Sequence, residues 1–322
     1  MKQRFLMSIV PLFILGLSAC DRPMAESSVG EVNSQVSERQ RVILVTGATG
    51  TQGGAVAEEL LKRGYAVRGL TRNTESDTAR ALANNGVDMV QGDFNDAASL
   101  EAAMDGVDGV FGVTLFWPEG YESEVTQGKR LIDAAVKAGI GRFVLTSVAG
   151  ADDETGLPHF ESKWEVEQYL HQSDLDWTVV RPVEFMDNWW WQREQFFNGQ
   201  LIDPRPGDSS HQWIAARDIG FFVAEAFDNP ESWKGVTLEI AGDELTVEEL
   251  RMTLSRAYGR EFTHVRPSWE AFEQEVGEEI TIMYQWFEEE GYDIDIEALR
   301  SQYPGLQTAD EFLTLMAGDA AR

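Results

Sequence analysis

The sequence predicts an α/β protein with a doubly wound parallel sheet and a smaller C-terminal α/β lobe. First, a short apolar run at residues 41–46 is followed at once by a glycine-rich turn at residues 47–54. Second, apolar runs alternate with helical stretches as far as residue 181. Third, a chain of 322 residues that is 43% hydrophobic can bury a large core without disulfides. Together these features are typical of a Rossmann-type sheet.

The first strand and its turn predict a nucleotide site. Residues 41–46 are short, apolar and β-branched, as expected for a strand buried in a parallel sheet. Helical periodicity follows the turn, from Ala55 to Arg63. Glycines let the backbone approach a diphosphate, which binds the free N–H groups at the start of the helix. Because strand, turn and helix follow in this order, the turn at 47–54 is predicted to bind phosphate.

The remaining elements follow at regular intervals. Five more strands are predicted at residues 66–70, 87–91, 107–113, 142–147 and 177–181. Helical stretches lie between them, for example at 125–138 and 160–171. We therefore expect one domain, 41–322, with a nucleotide-binding part at about 41–183 and a substrate lobe mostly at 184–322.

Composition excludes several classes of function. The chain has 26 Lys and Arg against 55 Asp and Glu, a net charge of −29 that repels phosphate backbones and argues against a nucleic-acid partner. Its one cysteine excludes an internal disulfide and a cysteine-based zinc ribbon. His211 and His264 have no neighbouring ligands at metal spacing, so no metal site is predicted. A small anionic or uncharged molecule is the expected partner.

The N-terminus is predicted to be a targeting segment, residues 1–20. Lys2 and Arg4 provide a positive start, and the apolar run 5–17 is too short to span a bilayer but suits a signal-peptide core. The run ends Leu-Ser-Ala-Cys20, which resembles a bacterial lipoprotein box. The resemblance implies cleavage before Cys20, lipidation of its thiol, and a membrane-anchored protein that faces the periplasm.

Residues 21–40 are rich in Ser, Glu and Gln, which predicts a disordered tether. An alternative start at Met24 would remove the signal peptide and leave a cytoplasmic protein.

The end of the second strand indicates which dinucleotide binds. An acidic residue there would bind the ribose 2′-hydroxyl of NAD. The sequence instead reads Leu-Thr-Arg72-Asn, and the planar guanidinium of Arg72 can pair with a 2′-phosphate. NADP is therefore favoured over NAD. The alternative is that Arg72 is a surface residue paired with Glu75 or Asp77.

The motif at residues 45–54, Val-Thr-Gly-Ala-Thr-Gly-Thr-Gln-Gly-Gly, resembles the opening of the NmrA-like proteins, an atypical branch of the short-chain dehydrogenase/reductases. Further matching segments lie in the same order at 91–93, 159–163, 181–188 and 241–246. The resemblance covers about residues 41–315. It implies a nucleotide-binding half, a smaller C-terminal lobe, and a cleft between them.

Carried over by position, the resemblance implies a set of cofactor contacts. The diphosphate would lie on Gly47, Ala48, Thr49, Gly50, Thr51 and Gln52, with Gly53 in the same turn. Arg72 would hold the 2′-phosphate, and the adenine would be flanked by Asp93 and Phe94. The ribose and nicotinamide side would contact Thr114, Leu115, Phe116 and Lys163. The nicotinamide ring would be covered by Phe185, Met186, Asp187 and Asn188. Some relatives carry lysines after the arginine, whereas Glu75, Ser76 and Asp77 follow here.

The candidate catalytic residues are Ser147, His159 and Lys163. Reductases of the wider superfamily use a serine after the fifth strand and a tyrosine four residues before a lysine, and the phenol exchanges a proton with the substrate carbonyl. Here Ser147 and Lys163 occupy the serine and lysine positions, and His159 stands at the tyrosine position. Histidine can transfer protons near neutral pH, but the usual phenol is absent.

Two functions are therefore predicted. The first is an NADPH-dependent reductase of a quinone or another apolar carbonyl or enone, since a flat substrate would suit Phe116, Trp117, Phe185 and the tryptophans at 189–191. The second is a non-catalytic redox sensor that binds the dinucleotide and acts through a protein partner. The missing tyrosine and the acidic C-terminal region favour the sensor. The three tryptophans cannot share one helix face, so at least one is expected in the core.

Overall fold

A seven-stranded parallel sheet forms the centre of the fold, and the computed structural model describes residues 39–320. The predicted signal peptide, Cys20 and almost all of the predicted tether lie outside the described residues. The strands are β1 (Val42–Val45), β2 (Ala66–Thr71), β3 (Asp88–Gln91), β4 (Gly109–Gly112), β5 (Arg142–Thr146), β6 (Trp177–Pro182), β7 (Glu184–Phe185), β8 (Gln200–Ile202), β9 (Ser210–Ile214), β10 (Val236–Ile240), β11 (Asp243–Thr246) and β12 (Thr263–Val265).

The helices surround this sheet and build the C-terminal lobe. They are α1 (Thr51–Lys62), α2 (Asp77–Asn84), α3 (Ala97–Ala103), α4 (Tyr121–Ala138), α5 (Pro158–His171), α6 (Arg193–Phe197), α7 (Ala216–Asp228), α8 (Pro230–Trp233), α9 (Val247–Ala257), α10 (Trp269–Val276), α11 (Glu278–Glu289), α12 (Ile296–Gln302) and α13 (Ala309–Ala320). Of the helices described up to residue 320, none has the length and apolar character needed to cross a membrane.

The strand order β3-β2-β1-β4-β5-β6-β10 confirms the predicted doubly wound sheet. The chain winds outward from β1 to β3, returns to the centre, and winds the other way from β4, so the order reverses between β1 and β4. Val45 of β1 lies opposite Gly69 of β2 and Phe111 of β4. In such sheets ligands bind beyond the carboxyl ends of the strands, next to this reversal.

All six predicted strands are present, and the structure adds a seventh, β10, to the same sheet. β10 pairs in parallel with β6, with Leu238 opposite Val180, although it lies within the C-terminal half of the chain. The C-terminal half also supplies α7, which packs on α1 and on the sheet. The large sheet therefore recruits residues from beyond position 183.

Two apolar cores cover the faces of the sheet. One contains Val56 and Leu60 of α1 and Phe222 of α7. The other contains Leu131 of α4 and Leu170 of α5. Because both faces are covered, the strands carry nearly continuous apolar runs instead of an alternating pattern.

The C-terminal lobe has its own core. The three-stranded sheet β11-β9-β7 and the two-stranded sheet β12-β8 pack with α9 and α13 around buried Trp213 and Leu313. Helix α9 begins with a capping box, in which Thr246 accepts a hydrogen bond from the Glu249 N–H and Glu249 accepts one from the Thr246 N–H.

The tryptophans at 189–191 point in different directions, as predicted. They lie on a 3₁₀ helix, Met186–Gln192, whose tight turn separates neighbouring side chains. Trp189 is buried in the C-terminal core, Trp190 is half-buried and Trp191 is 85% exposed.

Candidate active site

The predicted site residues follow the carboxyl ends of neighbouring strands. The glycine-rich turn follows β1, Arg72 follows β2, Thr114 follows β4 and Ser147 follows β5. Since these strands are parallel, their carboxyl ends meet at one edge of the sheet.

The glycine-rich turn needs glycine at two positions for different reasons. Gly47 has a φ of +59°, in the left-handed region, and its carbonyl accepts a hydrogen bond from the Gly50 N–H at 2.9 Å. At Gly53 a Cβ would lie only 2.2 Å from the carbonyl oxygen of Gly47. Only glycine therefore lets α1 start directly against the turn.

The start of α1 is open to an anion. Gly50 is the N-cap and offers no side-chain cap, and the first turn of the helix contains no acidic residue. The first N–H groups of an α-helix have no partner within the helix, and the helix dipole adds partial positive charge there. Thr51, at the first helical position, is exposed. This geometry suits a phosphate group.

Arg72 is exposed and available to a ligand. Glu75, one of the two predicted alternative partners, instead pairs with Arg80 at 2.8 Å. Within residues 39–320, no carboxylate forms an ion pair with the Arg72 guanidinium. In the described chain Arg72 thus forms no ion pair with Glu75 or Asp77, and its role at a 2′-phosphate stays a prediction.

The segment after β3 is held by its own hydrogen bonds. The carboxylate of Asp93 accepts from the Asn95 N–H at 2.8 Å, and the Ser99 hydroxyl donates to the Asp93 carbonyl at 3.2 Å. Phe94 is half-buried against the core beneath β2 and β4. That Asp93 and Phe94 flank an adenine stays a prediction.

The most connected group of the site is Glu124 on α4, which the sequence analysis missed. One of its carboxylate oxygens, Oε1, accepts from Thr114 Oγ1 at 2.7 Å and from Lys163 Nζ at 2.5 Å. The other, Oε2, accepts from Ser162 Oγ at 2.5 Å. The Glu124 side chain is 0% exposed. A signal existed, because Glu124 lies seven residues before buried Leu131, on the face of α4 that turns inward.

Glu124 is ionised at neutral pH. Burial by itself would raise the pKa of its carboxyl group, but the charge of Lys163 and hydrogen bonds from Lys163, Ser162 and Thr114 outweigh burial and lower the pKa below its ordinary value. An ammonium group has three N–H donors. Since Glu124 takes one and the Lys163 side chain is 18% exposed, Lys163 retains donors for a ligand.

His159 is the second residue of α5 and is enclosed by other side chains. Its ring packs on Phe116, Trp117 and Phe160 with centroids 4.8–5.8 Å apart. Its Nδ1 lies 3.1 Å from Oε1 of Glu279 on α11. No sequence pattern links residues 120 positions apart, so Glu279 was missed.

His159 is a neutral ring at physiological pH. Burial, together with the nearby charge of Lys163, lowers its pKa to about 4, although Glu124 acts in the opposite direction. The contact with the Glu279 carboxylate places the proton of the neutral ring on Nδ1.

Ser147 has a buried hydroxyl group that makes no hydrogen bond within the described chain. The residue is 6% exposed, and no group within the described chain makes a hydrogen bond with its Oγ. A buried polar atom without a partner is costly and points to a ligand contact.

The segment after β6 contains both half-buried and fully buried side chains. Phe185 and Asn188 are half-buried, whereas the Met186 side chain is fully buried in the C-terminal core. Asp187 accepts from the Ala216 N–H at 2.8 Å and thereby caps α7. Leu115, after β4, is 60% exposed, whereas Phe116 is buried. Phe185, Asn188 and Leu115 are therefore accessible among the predicted contacts, whereas Met186 and Phe116 are buried.

The residues present fit a dinucleotide with a 2′-phosphate. The uncapped start of α1 suits a diphosphate, the free guanidinium of Arg72 suits a phosphate monoester, and the hydroxyl of Ser147 and the remaining donors of Lys163 suit hydroxyl or carbonyl oxygens.

Comparison with known proteins agrees with this fold. A family model described as the NmrA-like family matches residues 39–313. The NAD(P)H azoreductase of Xenophilus azovorans is 32% identical over 235 residues, which cover 72% of this chain and 79% of the relative. Two solved structures share the fold. An NADPH-dependent quinone oxidoreductase from Escherichia coli, complexed with NADPH, has a TM-score of 0.74 at 23% identity and covers 85% of this chain and 99% of its own. NmrA, a negative transcriptional regulator in complex with NADP, has a TM-score of 0.71 at 21% identity. The match covers 86% of this chain and 95% of NmrA. The chain belongs to the NmrA-like family.

Proposed function

We propose that the protein is an NADPH-dependent reductase of a quinone or another conjugated, apolar carbonyl compound. The observation that carries the proposal is the placement of Lys163, which Glu124 holds beside Thr114 at the sheet edge where the nucleotide turn lies. Two proteins with related sequence or fold support it, since one is described as an NAD(P)H azoreductase and the other as an NADPH-dependent quinone oxidoreductase.

The cofactor is assigned by charge. The start of α1 would hold the diphosphate, and Arg72 would hold the 2′-phosphate that distinguishes NADP from NAD. When bound, NADPH supplies a hydride. The chain's own contribution is to bind and orient the reactants.

The polar side chains at the nicotinamide end have distinct roles in this proposal. The remaining N–H donors of Lys163 bind ribose hydroxyls, and the Ser147 hydroxyl donates to the substrate oxygen. His159 is neutral and its Nδ1 faces the Glu279 carboxyl group, so its ring forms part of the wall of the proposed substrate site. No side chain of the set Ser147, His159 and Lys163 is a strong, unpaired acid.

The lack of a strong acid favours some carbonyl substrates over others. A simple ketone develops an alkoxide and needs a nearby acid. A quinone spreads the negative charge over its ring and both oxygens, so water can deliver the proton later. A flat apolar ring also suits the exposed side chains Leu115 and Trp117, which are 60% and 50% exposed after β4. Quinones are therefore favoured over simple ketones within the proposed class.

Turnover tests the proposal. We expect the purified protein to oxidise NADPH, followed at 340 nm, when menadione is added, and to be much slower with cyclohexanone. Lys163→Gln is expected to reduce kcat/KM about 100-fold, because it removes a charged hydrogen-bond donor. Lys129→Gln is the matched control, since Lys129 pairs with Glu165 on the outer face of α5. A Lys163→Gln protein as active as wild type would contradict the assignment.

A redox sensor is the second candidate. The neutral, enclosed His159 at the tyrosine position favours it, because the usual proton relay is absent. A regulator with the same fold is described in complex with NADP. A sensor would bind NADPH and show no turnover with menadione or with an azo dye, but would change its affinity for a protein partner with the redox state of the cofactor.

A further inference from the structure

We propose that Glu124 is a positioning residue that joins the loop after β4 to the start of α5, so that the two cofactor-facing segments behave as one unit. The proposal rests on the proposed function, because it concerns the same nucleotide site. The sequence pattern predicts only that Glu124 faces inward on α4, and the proposed role comes from its contacts.

The carboxylate connects parts of the chain that are far apart in sequence. Thr114 lies ten residues before Glu124, and Lys163 lies 39 residues after it. Thr114 belongs to the loop after β4, whereas Ser162 and Lys163 belong to the first half of α5. Both carboxylate oxygens are used, so displacement of either segment would break a charge-assisted hydrogen bond.

A purely structural role would not require this residue. An apolar side chain of similar volume usually stabilises a core as well as a buried ion pair does. Here the charge is directed at a lysine whose side chain is 18% exposed, while the carboxylate itself is 0% exposed. Glu124 thus lies in the interior, and the ammonium group of Lys163 that it positions faces the site.

Helix α5, which carries Lys163, provides a matched control. Glu167, one turn after Lys163, is also 0% exposed and binds a cation, Arg181, at 2.8 Å. Glu167→Gln breaks a buried carboxylate–cation pair on α5 without touching Thr114 or Lys163. It reports what loss of a buried carboxylate does to the fold alone.

The experiment is a double-mutant cycle on NADPH affinity, measured by calorimetry with the whole protein. We expect Glu124→Gln to raise the dissociation constant about ten-fold, which equals about 1.4 kcal/mol. Lys163→Gln should raise it by a similar factor. The double variant should bind more tightly than the sum of the two single losses predicts, because part of the effect of Glu124 acts through Lys163. Glu124→Asp, which keeps the charge, should recover part of the loss, and Glu167→Gln should bind as wild type does.

Each outcome decides the question. Additive effects of Glu124→Gln and Lys163→Gln, or an equal loss in Glu167→Gln, would show a structural role and overturn the proposal. Wild-type affinity in Glu124→Gln would also overturn it. If the wild type binds NADPH but reduces no acceptor, the proposed reductase fails and the cycle still decides the role of Glu124. If the wild type binds no NADPH, both proposals fail. If Glu124→Gln does not fold, Thr114→Val and Glu124→Asp replace it, with the same expected non-additivity toward Lys163→Gln.

Discussion

At the scale of single residues, the site depends on which charges are paired. Lys163 is paired with a buried carboxylate, Arg72 is free, and His159 is kept neutral by burial. Sequence reasoning identified these three positions from their spacing to known motifs. It missed Glu124, because a lone acid on a helix usually lies in solvent and its partners are distant in sequence. Burial decides the role of such a residue, and burial depends on the whole fold.

His159 should make stability depend on pH. The ordinary pKa of histidine is 6.5, and in the folded protein burial lowers the pKa of His159 to about 4. Between these values the unfolded chain binds a proton that the folded protein does not, so the free energy of unfolding falls as the pH falls. We expect wild type to lose about 2 kcal/mol more than His159→Gln between pH 7.5 and pH 5. Urea denaturation of wild type and His159→Gln at the two pH values measures these losses in unfolding free energy. Equal losses in the two proteins would contradict the lowered pKa of His159.

At the scale of elements, the first strand, the glycine-rich turn and the first helix were predictable. The packing of α11 against the start of α5 was not. Apolar runs and glycine spacing located β1 and α1, since both signals are local. Helix α11 reaches the start of α5 through Glu279 on His159 and through Trp286, whose ring lies 5.4 Å from Phe160. Contacts between residues more than 100 positions apart leave no periodic signal. Their position is decided only when the lobe packs against the sheet.

The turn itself allows a matched pair of substitutions. In Gly53→Ala the new Cβ would lie 2.2 Å from the Gly47 carbonyl oxygen, so α1 must shift. We expect a loss of about 3 kcal/mol in unfolding free energy and loss of NADPH binding. In Gly54→Ala the Cβ would lie 3.4 Å from the Ala48 carbonyl oxygen, an ordinary contact, and helix propensity should add up to about 1 kcal/mol. Thermal denaturation of both variants checks this, and equal stability of the two would refute the close approach.

At the scale of the whole molecule, the fold class followed from the order of strands and helices. The pairing of β10 with β6 could not be predicted in this way, because a short strand at residues 236–240 does not indicate which sheet it joins. The net charge of −29 argues against nucleic acid at this scale as well.

The location of the protein is a separate proposal about the N-terminus. We propose that Cys20 is lipidated and anchors the chain to a bacterial membrane, as the apolar run and the box before it indicate. In a bacterial host, the full chain should fractionate with membranes and Cys20→Ser should not become lipidated. A soluble protein whose mature N-terminus is Met24 would contradict the anchor.

The central claim is that the glycine turn and Arg72 bind NADPH, and calorimetric titration tests it most directly. We expect NADPH to bind about 10–100-fold more tightly than NADH, because Arg72 adds charge-assisted hydrogen bonds to the 2′-phosphate. Arg72→Ala should remove this preference and leave NADH affinity unchanged. Equal affinity for NADPH and NADH in wild type would contradict the assignment of Arg72, and binding of neither dinucleotide would contradict the account of the site.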